Sequence, residues 1–206
     1  MYLNAHKESK MKIVYLVLLA GVLMFSVAEA GDEPMSERAQ ALMSALNVKE
    51  ASSKELRNRR KGALSEQKFK KAGGLVVSHK TDSGDGNNGS PNKLVFSDHN
   101  GNAKAFGKIK YAKSARAAQS ALFEELAMNS LPLDLLLKLY GVKKDGPGDF
   151  CIVRKSFDNE KKRFVVDESQ VICIRGNVVI SVYAKDASVR AEELARIMDE
   201  KLVAEQ

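Results

Sequence analysis

Apolar residues at Met35, Ala39, Leu42 and Leu46 recur at spacings of three and four, which predicts a helix over 34–46. The same period returns at Ala115, Ala118, Leu122 and Leu126, a helix over 114–129 with Ser114 as its N-cap. It returns once more at Ala191, Leu194, Ala195, Met198 and Leu202, with Asp186 or Ser188 as cap. Between these stretches the pattern shortens to β-type runs at 75–78, 93–97, 103–111, 150–154, 171–175 and 178–184. Phe164–Val166 extends or pairs with the run at 150–154. Asn100-Gly101 and Gly176-Asn177 are hairpin turn signals. In the last hairpin Val171, Cys173, Val178, Ile180 and Val182 share one face, and Ile172, Ile174, Val179 and Tyr183 the other. Both faces are apolar, so the hairpin is covered on both sides. Leu133 to Tyr140 is apolar nearly all round, with Pro132 near its first turn and Gly141 just past its end, and reads as a buried helix. The order predicts an α+β fold, a mainly antiparallel sheet of about five to six strands packed by helices. The two halves invite a reading as a βββα duplication, although no residues match between them.

The first 30 residues add an address. Lys7, Lys10 and Lys12 precede an apolar run from Ile13 to Val27, and Ala28-Glu29-Ala30 supplies a small-residue cleavage signal. This predicts a signal peptide over 1–30 and an exported protein, periplasmic or secreted, beginning at Gly31. An uncleaved anchor is the alternative, and Met11 is a second candidate start. The rest divides into a helical, basic N-terminal arm at 31–73, less firmly packed, and an α+β domain at 74–206. Residues 81–92 are almost pure Gly, Asn, Ser and Asp and predict a flexible loop within that domain.

Charge changes the picture in one place. The formal net charge is +7, and the arm concentrates Arg57, Arg59, Arg60, Lys61, Lys68, Lys70 and Lys71 against Glu55 and Glu66. Such a run is a solvated face or a surface for anionic lipid. Export argues against a nucleic-acid partner, as do the absence of Trp and the 6% aromatic content, which leave few rings for base stacking.

Cys151 and Cys173 are the only cysteines, each in a β-type run. An exported chain with two such thiols predicts a Cys151–Cys173 disulfide across an antiparallel pair. Two buried free thiols are the alternative. No zinc spacing joins His79 or His99 to other ligands, and no nucleotide-binding or nucleophile-elbow motif occurs. The loop at 82–89 lacks the register of a calcium site. No cofactor or metal is expected.

The segment Arg175-Gly176-Asn177-Val178-Val179-Ile180-Ser181-Val182, followed by Ala191-Glu192-Glu193-Leu194-Ala195-Arg196, resembles a pattern in extracytoplasmic α+β domains of bacterial envelope proteins, many of them sensor-like or lipoprotein domains. The resemblance spans 171–202 and implies a compact helix-on-sheet domain. The expectation is therefore an exported, non-catalytic binding or structural module of the cell envelope, its partner an unknown protein or envelope component. A secreted hydrolase drawing on Asp149, Asp158 and Glu168 is one alternative, and a protein of anionic membrane surfaces is the other.

Overall fold

The structure, a computed structural model, describes residues 34–51, 69–80 and 92–204. Its elements are α1 (Glu37–Ala45), β1 (Lys71–Ala72), β2 (Leu75–Lys80), β3 (Asn92–Ser97), β4 (Ala103–Tyr111), α2 (Ala115–Met128), α3 (Leu133–Leu139), β5 (Tyr140–Lys143), β6 (Phe150–Asp158), β7 (Arg163–Arg175), β8 (Val178–Ala184) and α4 (Ala191–Ala204). The fold is α+β, as the hydrophobic pattern predicts. One sheet of eight strands runs in the order β1-β2-β3-β4-β8-β7-β6-β5, and every neighbouring pair is antiparallel.

The expected five to six strands fall short of these eight. β1 is two residues long, too short to show any period. β5 lies where Gly141 reads as a helix terminator. In fact the chain leaves α3 at Tyr140 and goes straight into an edge strand paired with β6. The turn at 98–102 also differs in detail. Gly101 takes φ 81°, and Asn100 is absent from the positive-φ set; Asp98 ties the turn instead by accepting from the amides of Asn100 and Asn102, both at 2.9 Å.

The sheet is two meanders, β1–β4 and β5–β8, which meet at the β4–β8 pair, each followed by a helix. That echoes a duplication. A two-fold axis normal to the sheet would relate the antiparallel β4 and β8, and it would put both helices on one face. They lie on opposite faces. Leu194, Ala195, Met198 and Leu202 of α4 pack on Val171, Cys173, Val178, Ile180 and Val182. Leu122, Phe123 and Leu126 of α2 pack with Ile152, Ile172, Ile174 and Val179. The last hairpin is thus covered on both sides.

The segment expected as a loose arm is firmly docked where it is described. Ala39 and Leu42 are fully buried against α2. Ser36 caps α1 by accepting from Ala39 N at 3.2 Å. Arg38 donates to the carbonyls of Ala127 at 2.8 Å, Asn129 at 2.9 Å and Leu131, satisfying the chain end of α2. Phe69 is buried edge-on against Phe96, ring centroids 6.3 Å apart. The boundary placed at 73/74 falls inside a hairpin, since Lys71 pairs with Val76. Leu42→Ala is therefore expected to cost about 3 kcal/mol, read by urea denaturation. A change near zero would mean that α1 contributes little packing.

Candidate functional site

A cleft of about 710 Å³ opens where the sheet runs out beyond the start of α4. Its floor is Val153 and Val171, paired across β6 and β7. Its walls are β5 on one side and Glu168, Arg190 and Glu192 on the other, and it continues round the edge strand to Leu46 and Leu137.

A long bulge makes this shape. Val153 pairs with Val171, but Lys155 pairs with Val166, so residues 167–170 of β7 lie opposite Arg154 alone. Extra residues on one strand bend it and re-aim its side chains. Here Asp167 turns back to accept from Ser169 N at 2.9 Å, and Glu168 meets Arg190 at 3.1 Å. Glu192 binds Lys143 directly and Arg196 at 3.2 Å. Burial would raise the Glu192 carboxyl, but the hydrogen bond and charge of Lys143, joined by Arg196, hold it below its ordinary range.

Lys155 stands out. A Cβ at Gly141 would lie 2.6 Å from its Cε and 2.9 Å from its Nζ, so the lysine rests in the space left by the missing side chain. No carboxylate among the described residues pairs with it. The cleft thus combines an apolar floor, the ion-paired Glu168 and Glu192, Asp167 accepting from its own turn, and two lysines, Lys144 and Lys155, that no carboxylate among the described residues pairs.

A second polar cluster lies on the opposite face. Glu125 of α2 is 5% exposed, and its Oε2 has no hydrogen-bond partner among the described residues. Burial pushes its carboxyl up to about 8, against the pull of Lys108 and Lys110. Lys110 is itself lowered to about 8 by burial, with Lys108 adding to the effect. Burial also raises the Tyr140 phenol. Because folding raises the Glu125 value, its contribution to stability is complete below its ordinary 4.5 and is lost as pH rises through about 8. Lys110 acts in the opposite sense, favouring the fold only as pH rises from about 8 toward 10.5. Glu125→Gln is expected to flatten the fall in stability between pH 5 and 8, followed by thermal melts across that range. An unchanged slope would assign the fall to other groups.

The sequence-derived candidates fall in separate places. Cys151 and Cys173 are paired residues on β6 and β7, their sulfurs 2.08 Å apart in a disulfide. The free-thiol alternative is excluded in this structure. Lys70 and Lys71 are exposed at β1, whereas Arg57, Arg59, Arg60, Lys61 and Lys68 lie outside the described residues, as do the segment 1–30 and most of the loop at 81–92. The three acids grouped for a hydrolase do not converge. Asp149 accepts from Gly176 N at 2.7 Å at one end of β6, and Asp158 holds the turn after its other end, accepting from the amides of Glu160 and Lys161. At the rise of a strand those ends are about 30 Å apart. Glu168 alone reaches the cleft. Among the described residues no group of three His, Cys, Asp or Glu is placed to hold a metal, and no helix is long and apolar enough to cross a membrane. Sequence reasoning missed Lys143, Lys155, Arg190 and Glu192, which the consecutive strands β5 and β6 and the distant start of α4 bring together. The one local signal was Gly141 in a four-residue run, Tyr140–Lys143, too short to declare a strand. No protein-family model matches this chain, and no curated protein matches it.

Proposed function

We propose that the protein is an exported, non-catalytic binding module of the cell envelope and that the cleft beside β5 is its working surface. The observation that carries this reading is the state of Glu168 and Glu192, two of the three carboxylates that line the cleft with Asp167. Glu168 and Glu192 are held in ion pairs, and Glu192 is kept ionised rather than poised to give up a proton near neutrality. General acid catalysis needs a carboxyl raised toward the working pH. A cleft with an apolar floor, two ion-paired carboxylates, and Lys144 and Lys155 without a carboxylate partner among the described residues suits recognition instead. The signal-type segment at 1–30 and the disulfide agree with an oxidising compartment.

A photo-crosslinking side chain tests the reading. Val166 lies on the lip of the cleft and is 53% exposed, and Val203 on α4 is 44% exposed and away from it. Each is replaced in turn in the full chain and irradiated in the envelope fraction. A discrete adduct from position 166 that is absent from position 203 supports the reading. Equal labelling from both positions, or from neither, contradicts it.

A further inference from the structure

β5 ends the sheet, and among the described residues no strand pairs with its outer backbone edge. Its residues pair inward with β6, and the only other backbone bond among the described residues is the Tyr140 amide closing α3 on Leu136 O. Edge strands left open in this way are templates for another strand. Natural proteins blunt such edges with short strands, lysines and other charges, Pro, bulges or a covering element; β5 is four residues long, and its Lys143 is neutralised by Glu192. The bulge here is on β7, two strands in, so it opens the floor of the cleft and leaves the β5 edge straight.

The two sides of that edge differ in chemistry. Gly141 and Lys143 belong to the α4 side, facing Val153 and Cys151 across the pair. On that side lie Lys143 and Lys155, and Lys155 has no counter-charge among the described residues. On the other side Leu46, Leu137 and Tyr140 pack with the α1–α2 core and line the same cleft. A strand added beside β5 would send alternate side chains to the two sides. Charge complementarity then fixes its character: a carboxylate toward Lys155, since Glu192 already holds Lys143, and apolar side chains toward Leu46, Leu137 and Tyr140.

We infer that the β5 edge accepts an extended peptide of alternating acidic and apolar residues by strand addition, with an acidic side chain neutralising Lys155. Main-chain hydrogen bonds supply the attachment, and side chains on alternate faces supply the selection. This rests on the binding-module reading and names its ligand class.

The test uses the full chain, oxidised, and a fluorescein-labelled peptide of alternating Glu and Val, read by fluorescence anisotropy. Three companions run beside it: the same peptide with Lys for Glu, and two acidic peptides N-methylated at every second amide, in opposite phases. The expected results are a loss of at least tenfold in affinity for the Lys peptide and a similar loss for one N-methylated phase only. Lys155→Gln, at a partly buried position, should weaken the acidic peptide severalfold and leave the circular dichroism spectrum unchanged. Equal binding of the acidic and basic peptides overturns the inference, as does indifference to both phases of N-methylation. Failure of every peptide while position 166 still gives its adduct overturns strand addition and leaves the binding module standing. Failure of both removes the two together.

Discussion

Cys173→Ser is expected to lower stability by about 3 kcal/mol, the loop-closure value for a bridge of this span. Cys151 and Cys173 are directly opposed, with Cα atoms 4.0 Å apart, and both are fully buried beneath α4. The loss has two sources. The unfolded chain regains the freedom of a closed loop with a sequence separation of 22. The partner thiol is also left in a site built around it: a side chain at Gly146 would collide with Cys151 Sγ, so the loop before β6 is moulded to the bridge. Denaturant unfolding of the oxidised protein and of the variant measures the difference. Thiol titration of the unfolded, unreduced wild type should find none free. Two free thiols per chain would contradict the bridge and the compartment together.

Asp199→Ala is the second large effect, about 3–5 kcal/mol for breaking a buried ion pair on one side. Asp199 is 4% exposed on α4. It receives the Arg175 guanidinium at both oxygens, Nε at 2.6 Å, and the Gly148 amide at 3.0 Å. The bond to Asp199 and its charge raise the Arg175 value further. One carboxylate therefore joins the last helix, the end of β7 and the turn before β6. That turn has no slack. Gly148 takes φ 79°, and a Cβ there would strike the Ile174 carbonyl. The Asp149 amide bonds that same carbonyl at 2.6 Å. Asp199→Asn should recover part of the loss by keeping the Gly148 contact. If Asp199→Ala costs less than about 1 kcal/mol, the pair is no stronger than an exposed one.

Much of the fold was legible because its hydrophobic periods are long and clean. The stripe Ala191, Leu194, Ala195, Met198 and Leu202 is buried as the spacing demands. Ser114 caps α2 by accepting from Ala117 N at 3.0 Å, and the two faces of the β7–β8 hairpin separate into the two cores. Cys151 stands opposite Cys173 because alternation in both runs fixes the register. The missing pieces are short or non-local. Tyr140–Lys143 offers four residues, and a glycine among them, so helix-stop and strand readings compete. The packing of α1 depends on Arg38 reaching carbonyls at 127, 129 and 131, a contact no local pattern encodes. The cleft exists because a bulge at 167–170 meets the start of α4, and bulges leave no period to read.

Amide hydrogen exchange of the full chain, recorded alone and with the solubilised envelope fraction, tests most directly the claim that the cleft beside β5 is a binding surface. The account predicts slowed exchange confined to Tyr140–Lys143 and to residues 153–155 and 166–171, with the β2–β3 pair and the far end of α4 unchanged. Protection centred on β2–β3 or α4, or none at all, would contradict it.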